Sequence, residues 1–89
     1  MENALWKDRV EELAQKLTEC GIPFEACDCH GGYMVAYPSL EHKKADVVIH
    51  RFSYGSADGL FEAYGFPSCG KDVLGWLTVE DALALFKSM

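Results

Sequence analysis

Two apolar runs separated by a short polar turn constrain the fold of this chain more than any other feature. The runs are residues 46–52 and 60–66, and the segment between them, residues 53–59, ends with Asp58 and Gly59. A glycine-containing turn between apolar runs is typical of a β-hairpin, because glycine adopts positive φ angles without a Cβ clash. The sequence therefore predicts two antiparallel strands here, the third and fourth of the chain.

An amphipathic pattern near the start predicts the first helix. Four apolar residues recur at spacings of three or four: Trp6, Val10, Leu13 and Leu17. Asn3 can cap the first turn, and Gly21 supplies the stop expected just after a helix. These signals predict a helix from about residue 4 to residue 20.

The segment after residue 77 has the signals of a second helix. Thr78 lies three residues before Asp81, which resembles a capping box with aspartate in place of glutamate. The buried side of this helix is expected to comprise Val79, Ala82, Leu83 and Phe86. A helix is therefore predicted after the last strand.

Alternation with a period of two predicts two further strands before the hairpin. The alternating residues of the first strand are Ile22, Phe24 and Ala26. The second strand, residues 33–37, follows directly after Gly31 and Gly32. A Gly-Gly pair is a favoured hairpin connection, so these strands are expected to be antiparallel neighbours. Residues 66–75, which contain one proline and two glycines, are predicted to form a loop.

The predicted order of elements is helix, four strands, helix. Short links between consecutive strands favour an antiparallel meander, and both helices can cover one of its faces. We therefore predict an α+β fold with a four-stranded, mainly antiparallel sheet and both helices packed on one face, in two layers. The chain has 89 residues and is expected to be a single domain, residues 1–89. A chain of this length buries only about 60–65% of its unfolded surface and cannot build a second core.

Composition limits the partners of the domain. The chain has 14 acidic and 8 basic residues, which gives a net charge of −6 at pH 7. Direct binding to nucleic acid is not expected, because gripping a phosphate backbone needs clustered Lys and Arg. No apolar run approaches the roughly 20 residues of a membrane span, and the start of the chain lacks the pattern of an export signal. The protein is expected to be cytoplasmic, without a membrane partner.

Five short segments in the last part of the chain carry a resemblance to known proteins. They are residues 37–41 (Tyr-Pro-Ser-Leu-Glu), 44–48 (Lys-Ala-Asp-Val-Val), 53–56 (Ser-Tyr-Gly-Ser), 58–60 (Asp-Gly-Leu) and 75–78 (Gly-Trp-Leu-Thr). In these segments the chain resembles a family of small phage- and prophage-type proteins of Gram-positive gut bacteria. The resemblance implies a small accessory protein of a mobile element. It implies no catalytic residue, cofactor or partner.

Four cysteines and a histidine are candidate metal ligands. Cys27, Cys29 and His30 lie close together in the sequence, whereas Cys20 and Cys69 lie elsewhere. Without an export signal the thiols are expected to be reduced, and thiolates with an imidazole are the ligands that zinc prefers. The spacing fits poorly, because a regular strand would place His30 on the face opposite the two thiols. The alternatives are free thiols that fill space as small hydrophobes, and a redox role.

The same alternation predicts an exposed thiol-bearing face. If Ile22, Phe24 and Ala26 face the core, then Cys27 and Cys29 point to the opposite side of the sheet. This opposite face is a candidate interface, including one for a homodimer.

Tyrosines are the residues that we expect at a contact surface. The chain has more aromatic residues than a small core can readily bury, and a ring with a polar tip is common at binding surfaces. Tyr37, Tyr54 and Tyr64 are predicted to be partly exposed and to form this surface.

No arrangement in the sequence matches a catalytic motif. His50, Ser53 and Asp58 fall within one predicted hairpin, but nothing near Ser53 resembles a nucleophile elbow. We therefore expect no enzymatic activity, and no cofactor unless the cysteines bind zinc. The leading interpretation is an acidic protein-interaction domain that binds another protein. The alternatives are a Cys/His metal-binding or thiol module, and an acidic mimic of nucleic acid that inhibits a host protein.

Overall fold

The structure is a computed structural model and describes residues 3–89. This part of the chain contains two α-helices and five β-strands. In chain order they are α1 (Ala4–Glu19), β1 (Glu25–Cys29), β2 (Gly32–Tyr37), β3 (Ala45–Ile49), β4 (Phe61–Tyr64), β5 (Leu74–Leu77) and α2 (Val79–Lys87). The strands form one sheet in the order β1-β2-β3-β4-β5, and every neighbouring pair is antiparallel. The predicted α+β class and antiparallel sheet are confirmed.

Both helices begin at the caps that the sequence predicts. The Asn3 side chain accepts a hydrogen bond from the backbone N–H of Trp6 at 3.1 Å, and this satisfies one of the free donors of the first turn of α1. At α2, Thr78 and Asp81 bond reciprocally at 3.1 Å each and form a complete capping box. Within residues 3–89 no helix is long and apolar enough to cross a membrane.

The prediction of four strands is wrong, because β5 lies where a loop was expected to continue. This strand pairs with β4 through Phe61 opposite Leu77 and Ala63 opposite Leu74, with an irregularity between the two pairs. It is only four residues long and contains Gly75. A segment this short gives no readable alternation in the sequence, and its strand conformation depends on pairing with β4.

The central hairpin has shorter strands and a longer connection than predicted. β3 ends at Ile49 rather than Phe52, and β4 begins at Phe61 rather than Leu60. After β3 the backbone turns at once, since Ser53 N–H donates to His50 O at 3.1 Å. Residues 50–52 thus belong to a turn, and a short 3-10 helix, Ser56–Asp58, follows it.

The β1–β2 turn is formed by His30 and Gly31 rather than by Gly31 and Gly32. Their φ angles are 46° and 80°, while Gly32 pairs with Cys29 inside the ladder. Gly32 is needed for a different reason. A Cβ at this position would lie 2.7 Å from His50 Cα and still closer to Ile49 O, so it would collide with the backbone at the end of β3. Gly31 therefore supplies the positive φ angle of the turn, and Gly32 allows β2 and β3 to approach each other closely.

One side of the sheet, here called the first face, belongs to the hydrophobic core. Cross-strand partners Val35, Val47 and Ala63 are at most 1% exposed and point to this side. The core cluster also includes side chains of both helices: Val10, Leu13 and Leu17 of α1, and Val79, Ala82, Leu85 and Phe86 of α2.

The alternate residues point to the other side of the sheet, the second face. On β2, β3 and β4 they are Gly32, Met34, Ala36, Asp46, Val48, Glu62 and Tyr64, none of which belongs to the core cluster. The face that carries these residues is where the candidate site lies.

Candidate interaction surface on the second face

The predicted zinc ligands occupy different parts of the fold. Cys27 and Cys29 are half-buried on the second face, with Cys27 directly opposite Met34. Cys20 is exposed just after α1, whereas Cys69 is buried in the hydrophobic core. Among residues 3–89, no three or more His, Cys, Asp or Glu side chains are grouped so that they could hold a metal ion. The structure therefore does not bring the five predicted ligands together.

The thiol of Cys29 is not activated by its surroundings. Burial raises its pKa above the ordinary value, and the neighbouring Cys27 and Asp46 raise it further, while Lys43 opposes them. Reactive cysteines are thiolates at neutral pH, so a raised pKa reduces nucleophilicity. The environment of Cys29 thus does not favour a redox or nucleophilic role.

The catalytic arrangement considered for the hairpin does not form. Ser53 Oγ donates to the backbone carbonyl of His50 at 2.9 Å and accepts from its backbone N–H at 3.0 Å. The hydroxyl thus bonds to the backbone of His50 and closes a turn, rather than bonding to the imidazole.

The segment 38–44 lies over one end of the second face. Leu40 N–H donates to Glu25 Oε1 at 3.0 Å, and Lys43 Nζ lies 2.9 Å from Asp46 Oδ2 and 3.9 Å from Met34 Sδ. These contacts reach Glu25 of β1, Met34 of β2 and Asp46 of β3, and Asp46 is only 7% exposed.

The rest of this region carries an exposed aromatic patch, defined as Phe52, Tyr54, Tyr64 and Trp76. Their exposed fractions are 69%, 55%, 53% and 60% respectively. Tyr64 points to the second face by alternation with Ala63, and so does Glu62. Two of the four, Tyr54 and Trp76, are in direct contact, and exposed aromatic residues that lie together mark interaction sites on soluble proteins.

Two of the predicted tyrosines belong to this patch and the third does not. Tyr54 and Tyr64 are exposed, as stated above. Tyr37 is half-buried, packs against the core, and places its ring edge-on to Phe86 with the centroids 6.1 Å apart. Its position on the first face follows from its pairing with Ala45. We therefore assign Tyr37 to the core.

Tyr54 and Trp76 form a stacked pair at the centre of the patch. Their ring centroids are 5.3 Å apart and the ring planes differ by 18°. Tyr54 N–H donates to Glu62 Oε2 at 2.7 Å, and Tyr54 O accepts from Trp76 N–H at 3.3 Å. A Cβ on Gly75 would lie 2.6 Å from Tyr54 Cβ, so the glycine allows this close approach. An exposed ring pair is thus held by several specific contacts.

Trp76 adopts a backbone conformation that a bulky residue rarely takes. Its φ angle is 55°, in the left-handed region, where a non-glycine side chain is strained by about 1–3 kcal/mol. Most of the indole is nevertheless in solvent, so burial returns little of that energy. Sequence reasoning missed two patch residues, namely Phe52, which was expected in the third strand, and Trp76. For Trp76 the signal was a tryptophan directly after a glycine, and its exposure could be seen only from the fold.

The two histidines beside the patch are coupled. The rings of His30 and His50 lie edge to face with centroids 5.1 Å apart, and Phe52 N–H donates to His50 Nδ1 at 3.1 Å. Burial lowers the pKa of His50 below its ordinary value, and the charge of His30 lowers it further, whereas Glu62 opposes the shift. The lowered pKa favours the neutral form of His50, so its imidazole does little to offset the negative charge of Glu62.

The pH dependence of His50 provides a prediction. We expect its imidazole to titrate with a midpoint below about 6.5 in the folded protein. The unfolded chain then binds this proton more readily than the folded protein does. The stability that His50 contributes is therefore fully present above about pH 6.5, and it decreases as the pH falls towards the folded pKa. An NMR titration of the His50 Cε1–H resonance measures the midpoint. Glu62→Gln should lower it further, and a midpoint at or above that of a model peptide would contradict this interpretation.

No protein-family model, curated protein or solved structure matches this chain.

Proposed function

We propose that this chain is a small, acidic, non-enzymatic domain that binds a protein partner through the exposed aromatic patch. The observation that carries the proposal is Trp76, an exposed tryptophan held in a left-handed backbone conformation and stacked on Tyr54. Conformational strain persists where the surrounding structure maintains it, and it is concentrated at functional sites. Tryptophan and tyrosine are also the residues that most often dominate binding energy at protein interfaces.

The arrangement of the layers is part of this proposal. Buried side chains of α1 and α2 belong to one cluster with Val35, Val47 and Ala63 of the first face. We infer that both helices cover this face, which leaves the second face available to a partner. The segment 38–44 occupies one end of the second face, so the partner would contact the β4 and β5 side, where the aromatic patch lies.

The biological setting in this proposal is that of an accessory protein acting in the cytoplasm, of phage or mobile-element origin. Its support is the resemblance of residues 37–41, 44–48 and 75–78 described above, together with the small size and acidic balance of the chain. An accessory protein of this kind acts by binding another protein, and it needs a contact surface rather than a catalytic centre.

A comparative pull-down tests the proposed surface. Tagged wild-type protein and a Trp76→Ala variant are incubated with a lysate of the source organism at two salt concentrations, and bound proteins are quantified by mass spectrometry. Leu5→Ala is a matched control, because Leu5 is an exposed apolar residue, 38% exposed, on α1. We expect a specific partner that is lost with Trp76→Ala and retained with Leu5→Ala. Equal recovery by all three proteins would refute the proposal.

Trp76 is expected to matter little for stability. Trp76→Gly should change the free energy of unfolding by less than about 1 kcal/mol, because loss of the stack, about 0.5–1.5 kcal/mol, is offset by relief of strain of about 1–2 kcal/mol. Urea denaturation followed by circular dichroism gives the value. A loss of more than about 3 kcal/mol, typical of a buried aromatic residue, would show that Trp76 is structural.

A further inference from the structure

Glu62 places a carboxylate beside the stacked pair. Its Oε2 atom accepts the backbone N–H of Tyr54 at 2.7 Å, so the negative charge lies next to the backbone of one member of the pair. The side chain is only partly buried. None of the ion pairs formed among residues 3–89 includes Glu62. The pair and this carboxylate together present two aromatic rings and one uncompensated charge to solvent.

Two basic side chains near the second face have other partners. The guanidinium of Arg51 lies over the Phe52 ring, 5.4 Å from its centroid. Lys43 Nζ is paired with Asp46 Oδ2 at 2.9 Å. Since the chain as a whole carries a net charge of −6, its net electrostatic field attracts cations and repels phosphates. Charge complementarity therefore favours a positively charged partner.

The ring geometry favours a flat cation. Tyr54 covers one side of the Trp76 indole. Trp76 nevertheless remains 60% exposed. Tryptophan is the best aromatic partner in cation–π contacts. A guanidinium is planar, stacks on an aromatic face and donates to a carboxylate at the same time, which an ammonium group does less well.

We infer that the partner binds through a basic protein segment, and that Tyr54, Trp76 and Glu62 form a subsite for one of its arginine side chains. This inference rests on the proposed function, because it names the chemistry of the partner that the aromatic patch contacts. The guanidinium stacks on the indole of Trp76 and donates to the carboxylate of Glu62. An uncharged proline-rich segment would use the rings and leave Glu62 unpaired, and a nucleic acid would be repelled by the net charge.

An NMR titration of the full chain tests the subsite. The probes are three acetylated and amidated heptapeptides in which glycine alternates with arginine, lysine or citrulline, the neutral isostere of arginine. The indole N–H of Trp76 reports binding. The indole N–H of Trp6 is the internal control, since it donates to Ser56 O at 2.8 Å. We expect the arginine peptide to shift the Trp76 signal and leave Trp6 unchanged, and the citrulline peptide to bind about tenfold more weakly.

Two matched variants isolate the carboxylate. Glu62→Gln retains an acceptor for Tyr54 N–H but removes the charge, and it is expected to weaken binding of the arginine peptide about tenfold. Glu19→Gln removes the same charge from the exposed end of α1 and is expected to change binding less than twofold.

The outcomes separate this inference from the proposed function. Equal binding of the arginine and citrulline peptides, an equal effect of the two variants, or no shift of the Trp76 signal would each overturn the arginine subsite. So would a shift produced only by an oligoproline peptide or a single-stranded oligonucleotide. In any of these cases the proposed interaction surface still stands if the pull-down partner is lost with Trp76→Ala. If that partner is retained, the interaction surface itself is refuted.

Discussion

Replacing Phe86 by alanine is expected to lower the free energy of unfolding by about 3–5 kcal/mol. The side chain is 1% exposed, and its ring lies 5.1 Å from the Phe66 centroid and 6.1 Å from that of Tyr37. Truncation removes these contacts and leaves a cavity between α2 and the sheet that rigid neighbours only partly fill. For a chain of 89 residues, the total stability is about 4–13 kcal/mol, so this substitution removes a large part of it.

Phe52→Ala is the matched control for Phe86→Ala. Phe52 is the same residue type but is 69% exposed in the aromatic patch. Its substitution is expected to change stability by less than about 1 kcal/mol. Guanidinium chloride unfolding of both variants, followed by circular dichroism, makes the comparison. If the two substitutions destabilise equally, the assignment of Phe86 to the core and Phe52 to the surface is wrong.

Gly32→Ala is expected to be the most damaging small substitution, with a loss of about 3 kcal/mol or more. A Cβ at this position would lie 2.7 Å from His50 Cα and 2.9 Å from its Cβ, and closer still to Ile49 O. These are mostly backbone atoms of the neighbouring strand, which cannot rotate away as a flexible side chain can. The variant must therefore separate β2 from β3 at this end, where Tyr33 pairs with Ile49.

The effect of Gly32→Ala is best compared with that of Gly70→Ala. At Gly70 an added Cβ meets nothing within 4 Å, so only its positive φ of 61° opposes the change. Gly70→Ala should lose about 1–3 kcal/mol, because its φ of 61° and ψ of −128° lie in a region that residues other than glycine rarely adopt. Denaturation midpoints, together with NMR spectra that report whether each variant folds, give the ranking. A Gly32→Ala variant as stable as the wild type would show that β2 and β3 are not packed this closely.

The Cys27 and Cys29 thiols show how sequence and structure contribute to one site. Strand alternation predicts that both lie opposite the residues that face the core, and the structure places Cys27 opposite Met34 on the second face. The sequence cannot tell whether Cys20 and Cys69 approach them, because the distance depends on how α1 and the last loop pack. The fold leaves Cys69 in the core and Cys20 exposed at the helix end.

The sequence by itself determined the elements whose signals are local. The spacing of apolar residues and the caps at Asn3 and Thr78 predict both helices, because a helix forms through contacts between residues three and four positions apart. The antiparallel pairing of β1 with β2 follows in the same way from the short turn between them, whereas the sequence left the order of the strands in the sheet open.

Only the tertiary structure decided the fifth strand and the composition of the aromatic patch. β5 is a strand because β4 pairs with it, and its four residues contain no pattern of their own. Tyr37 and Tyr54 are equivalent as residue types, yet one packs on Phe86 and the other stacks on an exposed tryptophan. Burial and the strain at Trp76 depend on residues distant in the sequence, so no local pattern encodes them.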